Sequence, residues 1–301
     1  MAETAFDWDD LRYFLAVARA GRLTLAAKRL GQEHTTVSRR LRALETALHC
    51  QLFLRSPQGY QLTEAGQRLL ATAQAVESAT LAAQAETAGP DGLAGSVRIG
   101  TPDGFGAHFL APRIKELSLQ NSSLNIELIT MPHLLSLSKR EADIAIGLSR
   151  PKTGRVFARR LTDYHLQLYG ARDYLARHAP ISAPEQIPGH PLVGYVDDYL
   201  YTPELDYLHL VGPGLKPRLR ASNLLAQMRM TLAGAGLCVL PCFMAAGEPE
   251  LVPVLPESIR LTRTYWMITH ADQRELPRIR ACGDFIADLV RHERGLFLLD
   301  G

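Results

Sequence analysis

The sequence predicts two differently built regions in a chain of 301 residues: an all-α N-terminal region that ends in a long helix, and a two-lobed α/β C-terminal region. Up to about residue 88, apolar residues recur at three- and four-residue spacing, which is typical of amphipathic helices. After a glycine- and proline-rich stretch at 89–95, short apolar runs alternate with helical patterns, which is typical of a parallel sheet covered by helices.

The composition is that of an ordinary globular protein, with 47% hydrophobic and 21% charged residues. No apolar run approaches the roughly 18 residues that a membrane-spanning helix needs, so no membrane association is expected. The acidic start MAETAFDWDD lacks the pattern of a secretion signal, which predicts a cytoplasmic protein. In that reducing compartment we expect free thiols at all four cysteines, Cys50, Cys238, Cys242 and Cys282.

Two short helices joined by a turn follow a first helix predicted for Asp7–Ala20. The apolar stripe of the first short helix ends at Gly31, because glycine accepts the left-handed backbone that a helix end often requires. The two stripes consist of Leu23, Ala26, Ala27 and Leu30, and of Val37, Leu41, Leu44 and Leu48. This arrangement predicts a helix-turn-helix.

The outer face of the second short helix is basic and rich in hydroxyl groups. A helix of this kind fits the major groove of DNA, where arginine pairs with guanine and hydroxyls contact bases or phosphates. The predicted DNA contacts on this helix are His34, Thr35, Thr36, Ser38, Arg39, Arg40 and Arg42. The alternative interpretation is an amphipathic helix pair with a solvated basic face.

A two-stranded wing is predicted next, with strands at Leu52–Arg55 and Tyr60–Leu62 around a turn. Arg55 and Gln58 would meet the phosphate backbone there. From Arg19 to Tyr60, eight basic residues stand against two acidic ones, so the local formal charge is +6 in a chain whose net charge is +2. Such a concentration of positive charge is typical of nucleic-acid binding.

The segment from Leu11 to Leu69 resembles the DNA-binding region of LysR-type transcriptional regulators. The matching residues are Leu11, Phe14, Val17-Ala18, Leu25-Ala26-Ala27, Leu30, Val37-Ser38-Arg39, Leu44-Glu45, Leu52-Phe53, Arg55, Leu62-Thr63 and Gly66. Two departures have local consequences. Glu33 replaces a serine helix cap, which weakens the start of the recognition helix. His49 replaces a glycine at a helix end, where a positive φ is expected.

The resemblance divides the chain into a winged helix-turn-helix domain at 1–62, a linker and dimerisation helix at 63–88, a hinge at 89–95 and an effector-binding domain at 96–301. Thr63 is predicted to cap the linker helix. A heptad-like seam of Leu62, Leu69, Val76 and Ala83 favours pairing with a second copy, and the alternative is packing on its own domain. Resemblance implies a homodimer on an operator in double-stranded DNA, and a homotetramer as a pair of dimers.

The C-terminal region reads as alternating strands and helices. The predicted strands are Ser96–Gly100, Asn125–Thr130, Asp143–Leu148, Val156–Arg160, His165–Tyr169, Leu192–Val196, Leu237–Leu240 and Tyr265–Thr269. The predicted helices are Phe109–Leu119, His133–Arg140, Ala171–His178, Asn223–Ala233 and Leu276–His292. The order resembles the LysR-type effector domain, which is similar to periplasmic binding proteins. It implies lobe I at 96–163 and 270–301, lobe II at 164–269, and crossing segments near Thr162–Gln167 and Tyr265–His270.

Ligands of such sheets bind beyond the carboxyl ends of the strands, and helix starts there favour anions. The predicted contacts for a small-molecule effector are Thr101, Pro102, Asp103, Phe105, Thr130, Met131, Ser149, Tyr195, Asp197, Ser222 and Asn223. Each could instead be a strand-end turn or a helix cap, with Ser222 as the cap of its helix. The carboxyls of Asp103, Asp197 and Asp198 disfavour a simple carboxylate, so a polar or partly cationic effector stays open.

Catalytic signatures are absent from the sequence. There is no P-loop, nucleophile elbow or dinucleotide fingerprint, and the histidines have no zinc-like spacing, so no catalytic residue, metal or cofactor is predicted. Cys238 and Cys242 could form a redox pair, but two buried small residues are favoured. The chain is therefore predicted to be a ligand-responsive transcription factor rather than an enzyme. The alternative is a binding protein or enzyme of the periplasmic-binding-protein type with an unrelated helical arm.

Overall fold

The structure is a computed structural model that describes residues 6–57, 59–87, 93, 95–130, 142–152, 154–271 and 273–299. The chain divides into two compact units, which meet in sequence between Pro90 and Asp91. Among the described residues, no helix combines the length and the apolar character that crossing a membrane requires.

The described residues of the first unit form four helices and a hairpin. Their bounds are α1 Asp10–Ala20, α2 Leu23–Leu30, α3 His34–Ala47, β1 Phe53–Ser56, β2 Gly59–Leu62 and α4 Glu64–Thr87. Gly31 ends α2 in the left-handed conformation, as predicted, with φ of 62°. Ala26, Val37 and Leu44 of the two predicted stripes are fully buried, and Leu23, Leu30 and Leu48 pack against the same core, which confirms the stripes.

The hairpin is fixed to the helices by backbone contacts. Its strands pair antiparallel from Phe53 opposite Leu62 to Ser56 opposite Gly59. The Tyr60 N–H donates to the Gly21 carbonyl at 2.8 Å. A Cβ on Gly59 would stand 2.3 Å from that same oxygen, so only glycine allows the hairpin to approach this closely.

Helix α4 begins as predicted, because the Gly66 N–H donates to the Thr63 hydroxyl at 3.0 Å. Its first half packs on its own unit: Ala73 is fully buried, and Leu69 and Val76 contact the same core. Arg19 of α1 and Glu77 form a two-pronged ion pair with contacts of 3.1 and 2.5 Å. Part of the seam expected to face a second copy is therefore used inside this unit.

The second unit is built on one nine-stranded sheet. The strands are β3 Gly95–Thr101, β4 Leu124–Thr130, β5 Ile144–Gly147, β6 Val156–Ala171, β7 Leu192–Tyr195, β8 Leu219–Ala221, β9 Leu237–Pro241, β10 Leu251–Val254 and β11 Leu261–His270. Their order is β4-β3-β5-β11-β6-β9-β7-β8, with β10 also paired to β6. We call the parallel strands β3, β4 and β5, with the segments that follow them, the first half of this unit. The parallel strands β7, β8 and β9, with the segments that follow them, are the second half.

Helical segments lie between the strands and after the last strand, β11. They are a π-helix at Gly104–Leu110, α5 Ile114–Gln120, α6 Arg172–Ala176, α7 Leu208–Val211, α8 Leu224–Leu232, α9 Cys242–Ala245, α10 Pro277–His292 and α11 Arg294–Phe297. Three 3-10 segments lie at Pro184–Gly189, Asp197–Tyr199 and Pro203–Leu205. The rings of Phe105, Phe109, Phe243, Tyr265 and Phe297 pack together, with centroid distances from 4.7 to 6.3 Å.

Three predicted elements of this unit need correction. Val156–Arg160 and His165–Tyr169 belong to one continuous strand, β6, because it pairs first with β11 and then with β9 and β10. The predicted helix Phe109–Leu119 is interrupted between the π-helix and α5. Strands β8 and β10 were not predicted. The predicted helix at 133–140, Met131, Gln58 and most of the hinge at 89–95 lie outside the described residues.

Candidate functional sites

The outer face of α3 presents polar side chains to the surroundings. His34, Thr35, Arg39 and Arg42 are exposed, and Thr36 and Ser38 are half-buried. Within the part of the chain that the structure describes, the guanidinium groups of Arg39 and Arg42 make no ion pair. The two arginines are three residues apart, so they lie side by side on the helix. This face can supply both cationic and hydroxyl contacts to a polyanion.

Arg40 differs from its neighbours, because its guanidinium is already engaged. It lies 2.8 Å from Asp7 and 3.2 Å from Asp10, and it covers the ring of Tyr13. Burial raises the pKa of Asp10, and Arg40 offsets only part of that rise. The backbone N–H of Asp9, and then Arg40, lower the pKa of Asp7. Arg40 is therefore engaged within the unit, and its predicted contact with DNA stays a prediction.

Arg55, predicted on the wing, is also held within the unit. It lies 3.2 Å from Glu45 of α3 and over the ring of Tyr60. The other Glu45 oxygen accepts the N–H groups of Leu52 and Phe53 at 2.9 and 3.3 Å. Glu45 therefore fixes the start of the hairpin against α3, and Arg55 remains half-exposed beside it.

The two local departures noted in the sequence behave as expected. Glu33 is the N-cap of α3, and its side chain makes no cap hydrogen bond to the helix. His49 adopts a φ of 51°, the left-handed conformation that a glycine would accept more easily. The consequence is that α3 has an uncapped start and a strained exit.

In the second unit, Thr101 and Thr130 stand opposite each other at the ends of β3 and β4. Both side chains lie against Gly106, where a Cβ would be 1.9 Å from the Thr101 hydroxyl and 2.5 Å from the Thr130 methyl. Thr101 is 5% exposed and its hydroxyl has no hydrogen-bond partner among the described residues. Thr130 is exposed.

Asp103 joins the strand ends of the two halves. Its Oδ2 accepts the N–H groups of Leu224 and Leu225, at 2.6 and 3.4 Å, at the start of α8. Burial is the largest cause of the raised pKa of Asp103, and these N–H groups act against it. Asn223 caps the same helix by accepting the Ala226 N–H at 2.8 Å, so the predicted cap at Ser222 was wrong.

Two other predicted effector contacts are buried. Phe105 is 0% exposed and its ring packs inside the aromatic core, so its predicted contact with an effector stays a prediction. Tyr195 is 7% exposed, and its ring lies edge-on to Tyr207. Burial, followed by the charges of Tyr207 and Asp103, raises the pKa of Tyr195.

The remaining predicted residues lie at the rims of the strands. Pro102, Ser149 and Ser222 are half-buried. The carboxyl of Asp197 is 80% exposed and lies 3.9 Å from Arg220. Among the described residues, no hydrogen bond or ion pair brings these side chains together.

Sequence reasoning missed a set of tyrosines near Asp103. Burial and then the charge of Asp103 raise the pKa of Tyr201. Tyr164 and Tyr265 stack at 4.2 Å, and the Tyr207 hydroxyl donates to the Val239 carbonyl at 3.3 Å. A signal existed: four of the ten tyrosines fall within residues 195–207.

The burial of Cys238 and Cys242 bears on whether they could form a redox pair. Both thiols are buried, and neither forms a disulfide. Burial raises the pKa of Cys238 to about 12 and also raises that of Cys242. Thiols that stay protonated are poor nucleophiles, which favours two packed small residues.

The chain thus combines a helix-turn-helix whose outer face is cationic with an α/β unit in which Asp103 links the end of β3 to the start of α8. These features define a DNA-binding transcriptional regulator with a ligand-binding type of second unit. Two family models match: "Bacterial regulatory helix-turn-helix protein, lysR family" over residues 8–67, and "LysR substrate binding domain" over 90–291. The chain belongs to the LysR family of bacterial transcriptional regulators.

The sequences of known relatives align with this chain over nearly its whole length. The Mau operon transcriptional activator of Paracoccus denitrificans is 29% identical over 283 residues, covering 94% of this chain and 96% of that regulator. The transcriptional activator TtdR of Escherichia coli is 28% identical, covering 95% and 94%. The solved structure of a full-length OxyR variant from Pseudomonas aeruginosa has a TM-score of 0.70 at 23% identity, covering 95% of this chain and 98% of that one. This last likeness concerns the fold.

Proposed function

We propose that the winged helix-turn-helix at 1–62 reads an operator through Thr35, Thr36, Ser38, Arg39 and Arg42, with His34 at the start of the helix. The observation that carries this proposal is the exposed face of α3, where Arg39 and Arg42 make no ion pair with any described residue and the helix stands on a fixed core. Arg55 and Gln58 of the wing meet phosphates, and Arg40 sets the angle of α3. The protein acts as a cytoplasmic regulator and not as an enzyme.

The test compares Arg39→Ala with Arg40→Ala on operator and scrambled DNA. Arg39→Ala should cost about 1–3 kcal/mol of operator binding and little on scrambled DNA, because it removes a base-edge contact. Arg40→Ala should lower the thermal midpoint of the unit, because it leaves the buried Asp10 carboxyl without its partner. Fluorescence anisotropy across a salt series measures both. Equal losses for Arg39→Ala on the two DNAs would remove it from base reading.

For the second unit we propose a small-molecule effector between lobe I (96–163 and 270–301) and lobe II (164–269). The strand ends at Thr101, Thr130 and Ser149 in one half, and at Tyr195 and Ser222 in the other, support this position, since Asp103 links the two sets. Met131, Pro102, Asp197 and Asn223 complete the proposed rim. An effector that prefers one arrangement of the lobes would change operator affinity about 5–150-fold.

We also propose that the helix at 63–88 mediates a homodimer that presents two recognition helices to half-sites, with 89–95 as a hinge and a tetramer as a pair of dimers. Val76 already packs on its own unit, whereas Ala75 and Ala79 stay exposed one turn apart. The exposed alanine face is therefore the better candidate for the partner helix.

Two aspartate substitutions separate these roles. Ala79→Asp should split the dimer with little loss of unfolding free energy, because it places a charge in the intermolecular contact. Val76→Asp should instead destabilise the unit itself, because the side chain enters its core. Light scattering and thermal melting distinguish the outcomes. An unchanged oligomer in Ala79→Asp would exclude this face from the interface.

A further inference from the structure

The start of α8 is where an anionic effector would be expected to bind, and the chain fills it with its own groups. The first two N–H groups, of Leu224 and Leu225, donate to Asp103 at 2.6 and 3.4 Å. The third, of Ala226, donates to Asn223 at 2.8 Å. These donors are the ones through which a helix start binds anions, and none of the three is left for an external carboxylate.

The surroundings of Asp103 are closed as well. Its neighbour Gly104 comes so near the second half that a Cβ there would stand 2.8 Å from the Met244 sulfur and 3.1 Å from a Leu224 methyl. Asp103 itself is 9% exposed. The carboxyl group thus crosses from the first half to the second at a point where the halves are packed together.

Charge decides which ligands such a cleft accepts. A helix start carries about half a positive charge, so a full carboxylate charge on Asp103 leaves the position net negative. A second carboxylate within ~4–6 Å would be repelled. Tyrosine rings nearby attract cations, and their hydroxyls can hydrogen-bond polar groups. The buried, unpaired Thr101 hydroxyl adds a polar group without charge.

We propose that Asp103 is a built-in anionic ligand of α8, and that the cleft consequently accepts an uncharged hydroxyl-bearing or cationic effector and rejects carboxylates. This inference rests on the proposed effector cleft and names the chemical class that the cleft selects. A helix start usually serves as a site for an external anion. At α8, Asp103 occupies that site instead and holds the two halves together.

Chemical rescue tests the proposal. Asp103→Ala removes the carboxyl group and leaves space for formate, which has the same oxygens. Thermal unfolding of the full-length wild type, Asp103→Ala and Asp103→Asn is followed in sodium formate and in sodium chloride of equal ionic strength. Formate should raise the midpoint of Asp103→Ala by about 2–4 °C in a saturable way. Wild type and Asp103→Asn should show no such rise, because their side chains occupy the position.

The proposal is overturned if formate fails to stabilise Asp103→Ala, or if it stabilises wild type equally. Should Asp103→Ala not fold, hydrogen exchange of the wild type by mass spectrometry over residues 222–228 decides. Slow exchange that formate leaves unchanged supports the internal ligand, and exchange as fast as in exposed loops, or slowed by formate, excludes it. Operator binding is read separately on DNA, so failure of the regulator function and failure of this contact are distinguishable.

Discussion

Helices α3 and α8 begin in opposite ways. The start of α3 has Glu33 as its N-cap, no cap hydrogen bond from that side chain, and exposed residues at His34 and Thr35. The start of α8 is enclosed, and Asp103 and Asn223 take its first N–H groups. A helix start on the surface remains available to phosphate, whereas an enclosed one is satisfied by the fold.

The difference follows from the cost of leaving polar groups unpaired. A buried N–H without an acceptor costs roughly 1–3 kcal/mol, while an exposed one is hydrated by water at little cost. The second unit must therefore supply its own acceptors, and the first unit need not. This contrast can be sharpened or broken by substitutions at each site.

The largest effect is expected at the enclosed end of β3 in the second unit. Gly106→Ala should lower the free energy of unfolding by about 1–3 kcal/mol, because its new methyl would collide with the Thr101 hydroxyl and the Thr130 methyl. Urea denaturation measures the change. Gly295→Ala is the matched control, since a Cβ there meets nothing within 4 Å. Equal stability of the two variants would show that the strand ends are loosely packed.

A smaller effect, a gain in stability, is expected at the exposed start of α3. Glu33→Ser should raise the free energy of unfolding of the first unit by about 0.5–2 kcal/mol, because serine can accept an N–H at the start of α3. It also removes a negative charge near the proposed phosphates, so DNA affinity should rise. Thermal melting and anisotropy measure the two effects. Loss of stability in this variant would contradict an uncapped start.

The smallest effect concerns pH. Burial raises the pKa of Asp103 above its ordinary value of 3.8. Because the pKa is higher in the folded chain, the folded chain binds the proton more tightly than the unfolded chain. Asp103 therefore adds to the free energy of unfolding as the pH falls through the folded pKa, most fully below 3.8. This contribution is lost as the pH rises through the folded pKa. Wild type should therefore gain stability relative to Asp103→Asn between neutral and acid pH. Urea titrations at several pH values check it, and a flat difference would contradict the raised pKa.

Much of the first unit could be predicted because its determinants are local. The apolar spacing of Val37, Leu41 and Leu44 specifies a buried face of α3, and Thr63 and Gly31 act within one turn of themselves. What could not be predicted there was the pairing of Arg40 with Asp7 and Asp10, and of Glu45 with the hairpin. Those contacts join residues that only the packing of α1, α3 and the hairpin brings together.

By itself, the sequence determined the family, the helix-turn-helix, the alternation of strands and helices, and the strand ends at which an effector is proposed to bind, because periodicity and turn residues are written in neighbouring positions. Only the tertiary structure decided which of those groups remain free. Asp103 and Leu224 are 121 positions apart, and no local pattern links them. Their contact exists because a buried helix start requires an acceptor, and the packing of the two halves places one there.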